Sequence, residues 1–451
     1  MRNFVQFFKS CAPFFIMELR RIKSSQLTET NVAEYVPRGE LNLREIQETV
    51  QSIIDDIKTR GDAAIYDYTE KFERLGPDVT IRSLPIRVTP EEIQEAREKL
   101  TPKLLSALKG AKANIERFHK AQLPKDWRKE FAPGLQAGQI YRPIEKVGVY
   151  APGGEGVYPS TVLMTVLPAL VAGVPEIAIA SPPQRDGKVS PAILGAADLC
   201  GIDRIYRMGG VQAIAAFAHG TESVDPVYKI MGPGNKWVNA AKQLVSSKCA
   251  IDTPAGPSEI LLLVDESANV EDLLIDFTAQ VEHGPDNVGV LVSHDSALLD
   301  AFQEKFPDYL KQCERKAIIE DSLEKGGLIV ETEDLADSIR VANIIASEHL
   351  HIQVANPEEV IDKINNAGAI FIGKTTPVAL GDYCGGTNHV LPTGGYALMH
   401  SGLSTMTYLK IIDVLHTQPE ALKELEEILA PIAEYEGFLE HRNSVTKRSK
   451  K

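Results

Sequence analysis

Apolar residues recur at helical spacing through residues 43–120. LREIQETVQSIIDDIKTRGDAAIYDYTEKF keeps them on one face and meets a stop at Gly61, and TPEEIQEAREKL opens with a Thr-Pro start and an acidic first turn. These faces carry no chemistry and read as scaffold. From about residue 147 the pattern changes to short apolar strands alternating with helices. One series runs VGVY, STVLMTVLPALVAG, EIAIA, PAILGAADLCG, RIYRM and VQAIAAFAHG. A second runs EILLLVD, NVEDLLIDFTAQ, VGVLVS, a helix near 296–312, GLIV, DLADSIRVANII, HIQV, a helix near 357–366 and AIFIG. Strands separated by helices of about ten or more residues require parallel sheets built from βαβ units. Two series imply two α/β units. Beyond about 373 the pattern breaks into Gly-rich loops and then a helical tail from Pro419.

Length and charge narrow the picture further. A chain of 451 residues exceeds one compact core. A net charge of −14 argues against nucleic acid, which needs a basic face. Cys11, Cys200, Cys249, Cys313 and Cys384 are odd in number and form no CxxC, which fits a reducing, cytoplasmic setting. The apolar run at 1–16 is interrupted by Lys9 and is too short to span a bilayer, so it reads as an extension. ELRRIKSSQL, which follows Met17, is polar and compatible with a helix.

Several segments carry candidate chemistry. VGVYAPGGEGVYPSTVLM and IMGPGNKWVNAAK each join a strand to a helix through a glycine-rich loop, a way of presenting backbone N–H groups to phosphate, although GxGxxG is absent. An ordinary βα turn, with Asn235 as a helix cap, explains the same residues. In TPAGPSE, Ser258 stands at the junction between the two series, where clefts form.

Asn269 caps a helix whose apolar residues Val270, Leu273, Leu274, Phe277 and Val281 share one stripe. The spacing carries this helix to a stop at Gly284-Pro285, with His283 on its last turn. At about 100° per residue Gln280 falls at the stripe's edge and His283 about 60° further round. A lone histidine at a helix end is ordinarily a dipole-favoured residue, and spacing alone does not single out a metal there. SEHLHIQV puts Glu348 and His349 before a strand, an acid and an imidazole suited to base catalysis. LGDYCGGTNHVLPTGG packs Asp382 and His389 into an aperiodic loop, the kind that compact domains keep for function. Glu436 and His441 lie about 140° apart in an uninterrupted helix, so spacing does not make them converge.

In order, VGVYAPGG, GGVQAIAA, GPGNKWV, DTPAGPSE, AQVEHGPDN, SEHL and GDYCGGTNHVLPT make this sequence resemble the histidinol dehydrogenase family from about Leu43 to Val445. The resemblance implies two Rossmann-like parallel-sheet domains lacking the standard dinucleotide fingerprint, with helical N-terminal and C-terminal segments. It implies an extension and arm over 1–42 and a first domain from 43–149 with 258–380. A second domain over 150–257 and a C-terminal dimerisation segment over 381–451 follow. The activity implied is NAD-dependent, four-electron oxidation of L-histidinol to L-histidine through an enzyme-held aldehyde, with one zinc per site, the last step of histidine biosynthesis. A sibling enzyme for another small amino alcohol or a sulfonated diol is the alternative.

Position by position, Gln280, His283, Asp382 and His441 match zinc ligands, and Glu348 and His349 the catalytic pair. Tyr150, Gln212 and Asn235 match NAD contacts. Ser258, His389 and Glu436 match substrate contacts, beside Gln280, His283, His349, Asp382 and His441. Glu436 and His441 are implied to act across a homodimer. GGYALMHSGLSTMTYLK is similar to the family's stretch there, not identical.

Overall fold

The computed structural model describes residues 18–38, 43–153, 156–253 and 256–450; the run at 1–16 lies outside them. Fourteen strands occur among the described residues: β1 Arg20–Lys23, β2 Trp127–Ala132, β3 Leu135–Pro143, β4 Lys146–Tyr150, β5 Glu176–Ser181, β6 Ile205–Arg207, β7 Lys229–Met231, β8 Ala250–Ile251, β9 Glu259–Val264, β10 Val288–Ser293, β11 Gly327–Glu331, β12 His349–Gln353, β13 Ala369–Ile372 and β14 Leu409–Thr417.

Two all-parallel sheets follow, as the strand-helix alternation requires. One has five strands in the order β6-β5-β4-β7-β8, the other six in the order β1-β11-β10-β9-β12-β13. Central strands such as β9 (EILLLV) and β10 (VGVLVS) read as apolar runs because both faces are covered. In β9, Ile260, Leu262 and Val264 enter one core while Leu261 and Leu263 enter the opposite one. Each sheet reverses its strand order once, between β4 and β7 and between β9 and β12. In open α/β sheets such reversals open a crevice.

Three features depart from the sequence expectation. The helices of 43–121 do not pack with 258–380. Val50, Ile53 and Ile57 of helix Leu43–Arg60 join the core on one face of the five-stranded sheet. Ile93 of helix Pro90–Lys99 and Leu108 and Ile115 of helix Pro102–Ala121 join the core on its other face. β4 is the central strand of that sheet, so the unit begins before 150.

Secondly, the segment read as helix-compatible contains β1, which extends the six-stranded sheet by pairing with β11. Its Leu19 and Ile22 are buried in the two cores of that sheet, which outweighs the polar local sequence. Thirdly, β2, β3 and β14 form an antiparallel sheet; β14 lies inside a stretch read as loop, and β2 and β3 fall between 120 and 147, where the sequence pattern assigns no element. Leu409–Thr417 is strand although its residues are mostly exposed, so its register is set by pairing with β3 and not by a buried stripe. The helix expected near 357–366 is the single turn Glu358–Ile361.

Candidate active site

The two sheets face one cavity of about 1150 Å³ with unlike edges. The five-stranded sheet contributes carboxyl ends: Tyr150 ends β4, and the loop after β7 carries Asn235. The six-stranded sheet contributes amino ends, where Ser258 precedes β9 and Glu348 and His349 stand at the start of β12. Helix Val270–Val281 runs opposite to its strands and therefore delivers its C-terminal end, with Gln280, to the same place.

That helix stops two residues earlier than the sequence predicts. Glu282 is its C-cap and His283 lies in the following turn, exposed to the cavity. Side chains take over the terminal carbonyls. Asn287 Nδ2 donates to the carbonyls of Gln280 and Val281, both at 3.3 Å, and His283 Nδ1 lies 3.0 Å from the Gln280 carbonyl. Asn287 Oδ1 meanwhile accepts from the Ser258 N–H at 2.9 Å, tying the helix end to the mouth of β9.

The His349 ring is almost fully buried, and its contacts fix its tautomer. Nδ1 sits 3.0 Å from the Glu259 carbonyl, which can only accept, so Nδ1 carries the proton. Nε2 is left without a hydrogen-bond partner, 3.5 Å from Asp382 Oδ1. Glu348 Oε2 accepts the Glu259 N–H at 2.9 Å and lies 3.4 Å from His349 Nδ1. The backbone N–H and the backbone carbonyl of one residue, Glu259, thus orient both members of the pair. Burial alone would lower the His349 pKa, but the Glu348 carboxylate and the contact with Asp382 outweigh it and raise it to about 10. Burial conversely works to raise the pKa of Asp382, and its contacts with His349 and Gln280 bring it below the usual range.

The Glu259 carboxyl is buried behind this pair. It accepts the Gly394 N–H at 2.7 Å and faces Arg38 Nε at 3.3 Å. Burial first, then the nearby Glu348 charge, push its pKa up to about 7 against the pull of Arg38. Sequence reading missed Glu259; its one signal is a charged residue opening the otherwise apolar strand EILLLV. His389 lies in the cavity wall, its Nδ1 2.9 Å from the Asp382 carbonyl and its Nε2 3.3 Å from Thr161 Oγ1, and burial depresses its pKa.

On the other side, Tyr150 OH accepts the Gly210 N–H at 3.2 Å at the start of helix Gly210–His219. Gln212, on that helix, is 1 % exposed, and neither its amide N nor its amide O has a hydrogen-bond partner among the described residues. A buried, unsatisfied amide lining a cavity is suited to a polar ligand. Asn235 Oδ1 caps helix Lys236–Val245 by accepting from the N–H groups of Trp237 (3.0 Å) and Val238 (3.2 Å). Its loop is held by a pair that the sequence did not disclose. Lys242 and Asp252, both buried, contact each other; Lys242 Nζ donates to the Gly232 carbonyl at 3.0 Å and Asp252 Oδ2 accepts the Gly232 N–H at 2.6 Å. Gly232 has φ +113°, and a Cβ there would run into the Tyr150 carbonyl oxygen.

Tyr150, Gln212, Asn235, Ser258, Gln280, His283, Glu348, His349, Asp382 and His389 therefore line one cavity. Glu436 and His441 do not: they sit exposed at and after the end of helix Pro419–Tyr435. A metal would find Gln280, whose amide Nε2 donates to Asp382 Oδ2 at 3.0 Å, the Asp382 carboxylate and the Nε2 of His283. These nitrogen and oxygen donors at a helix C-terminus suit a divalent cation such as zinc. No group of three or more His, Cys, Asp or Glu that could hold a metal occurs among the described residues.

This is an α/β enzyme whose cleft joins a polar ligand site on one sheet to an imidazole flanked by carboxylates on the other. The histidinol dehydrogenase family profile matches residues 36–449. The histidinol dehydrogenase of Methanothermobacter thermautotrophicus is 44 % identical over 95 % of this chain and 99 % of its own length. That of Methanocaldococcus jannaschii is 44 % identical over 96 % of this chain and 99 % of its own. The crystal structure of histidinol dehydrogenase from Elizabethkingia anophelis superposes with a TM-score of 0.90 at 35 % identity, covering 96 % of this chain and 98 % of that one. The chain belongs to the histidinol dehydrogenase family, the oxidoreductases of histidine biosynthesis. No helix among the described residues is long and apolar enough to cross a membrane.

Proposed function

We propose that this chain oxidises L-histidinol to L-histidine in two NAD-dependent steps at a zinc-loaded site, the aldehyde staying bound between them. The observation that carries the reading is the unpartnered Nε2 of His349, held as an acceptor by the Glu259 carbonyl and aimed at the cavity. The reaction removes four electrons and adds one water oxygen, so it needs a base in each half. His349 Nε2 takes the alcohol proton in the first. Glu348, beside it in the wall, draws the proton from the water that adds to the aldehyde in the second.

Gln280, His283 and Asp382 would hold the zinc, which when bound supplies positive charge that orients the substrate's nitrogens and offsets Asp382. With Asp382 offset, Glu348 is the remaining carboxylate acting on His349, and the pKa of the imidazole falls toward that of a working base. Tyr150, Gln212 and Asn235 would hold NAD, the acceptor of both electron pairs. Ser258 and His389 line the space left for the amino alcohol.

A homodimer completes the site in this reading. Glu436 and His441 of a second copy supply a further metal donor and a carboxylate for the imidazole of the substrate. Ile428, Ile432, Tyr435, Phe438 and Leu439 are exposed around these residues, an apolar face fit to be buried by that copy. Cys200, Cys249, Cys313 and Cys384 are unpaired, which fits the cytoplasm.

The test is stoichiometry: purified chain, zinc, NAD and L-histidinol are expected to yield two NADH per histidinol consumed. Turnover of another amino alcohol or a sulfonated diol with none of histidinol would overturn the substrate, and turnover without nicotinamide would overturn the reaction.

A further inference from the structure

Among the described residues three carboxylates line the cavity: Glu348 and Asp382 beside His349, and Glu73 on the side built from the five-stranded sheet. Glu73 is the C-cap of helix Asp62–Phe72 and belongs to no strand-end loop. Its carboxyl packs against Gly209 and Pro182, at the start of helix Gly210–His219 and just beyond β5. A Cβ at Gly209 would strike Glu73 Oε1, so the missing side chain there is what gives the carboxyl its place. Glu73 is half-buried, yet its carboxyl accepts no hydrogen bond and pairs with no cation among the described residues. Desolvation lifts its pKa to about 7, with no partner pulling the other way. A partly desolvated carboxyl that faces the cavity and takes no hydrogen bond from the described residues is open to a ligand that donates to it.

Resting on the proposed use of NAD, the direction of the dinucleotide follows from the cavity. Its reacting ring must lie by His349, so the adenosine half extends toward the five-stranded sheet, where the exposed Phe72 and the half-buried Trp237 line the cavity. We propose that Glu73 selects NAD against NADP, its carboxylate accepting the adenosine ribose hydroxyls and repelling a phosphate on the 2′ oxygen. A ribose diol offers two O–H donors to a carboxylate, whereas a 2′-phosphate offers like charge. Arg185 lines the same region, so removing the carboxylate leaves surroundings that attract the phosphate.

The experiment is calorimetric titration of purified full-length chain and its E73Q and E73A variants with NAD, NADP, ADP-ribose and 2′-phospho-ADP-ribose. Matching thermal unfolding would verify that the variants fold. The wild type is expected to prefer NAD and ADP-ribose over their 2′-phosphates. Both variants are expected to lose that preference by about tenfold or more, with NADP tighter and NAD weaker than in the wild type. An unchanged NADP-to-NAD ratio in both variants would overturn the role of Glu73 and leave the NAD reading standing. Failure of the wild type to bind any of the four would overturn that reading and this one together.

Discussion

Lys242→Met isolates what the buried pair under the Gly232 loop contributes. Methionine keeps the length and apolar stem of lysine, and the site is 1 % exposed, so packing is conserved while one buried cation is deleted. The Asp252 side chain, 3 % exposed, then keeps the Gly232 N–H but loses its cation. Breaking a buried pair from one side costs about 3–5 kcal/mol. A second route bounds the figure: an orphaned carboxylate can take a proton instead, and at pH 7 this costs an ordinary carboxyl about 4 kcal/mol. Losing the hydrogen bond to the Gly232 carbonyl adds about 1 kcal/mol, and no longer burying an ammonium group gives part of this back.

The expected loss is therefore about 3–5 kcal/mol at pH 7. It should read as a lower urea midpoint in tryptophan fluorescence at matched protein concentration. Lys242→Met with Asp252→Asn should recover most of the loss. A deficit under about 1 kcal/mol, or one not rescued by the second change, would refute the reasoning.

His349→Asn should fold normally and still take up zinc, since His349 is not among the proposed ligands, while kcat falls by about 10² to 10⁴; a near-normal rate would exclude it as the base. Stability should respond to Glu259, whose folded pKa of about 7 lies above its ordinary 4.5. The stability it contributes is fully present below pH 4.5 and is lost as pH rises through 7, by roughly 3 kcal/mol in all. Glu259→Gln should flatten that slope in urea titrations, and an unchanged slope would contradict it. Co-refolding inactive His349→Asn chains with inactive His441→Ala chains should restore activity, because the mixed dimer assembles one intact site. No recovery in verified mixed dimers would place His441 in its own chain's site.

The strands with both faces covered were legible, because an apolar run such as EILLLV admits little besides a central parallel strand. β14 was not, since LKIIDVLHT owes its conformation to β3, more than 260 residues earlier, and not to any stripe of its own. The site was legible in the residues that local motifs carry, such as Glu348 with His349 and Gln280 with His283. Glu259, Lys242, Asp252 and Glu73 were not, because their significance comes from burial and from partners set by the fold. QVEHGPDN shows both sides. Its polar crowding signalled the site, but the helix end moved because Asn287, beyond the predicted stop, takes the terminal carbonyls.

The pairing of Arg20–Lys23 with Leu328–Glu331 also sets an order of events during synthesis. The first strand emerges from the ribosome some 300 residues before its partner, and at cellular elongation rates that interval is on the order of 15–60 s. The five-stranded sheet, with its helices from 43–121, lies wholly within that interval, whereas Val390, Leu403 and Tyr408 join one of its two cores only after β11 has been made. Arg38, just past that early strand, reaches Glu259 only when the second sheet closes. The Glu259 carboxyl behind Glu348 and His349 thus meets its cation only once segments more than 200 residues apart in sequence have come together.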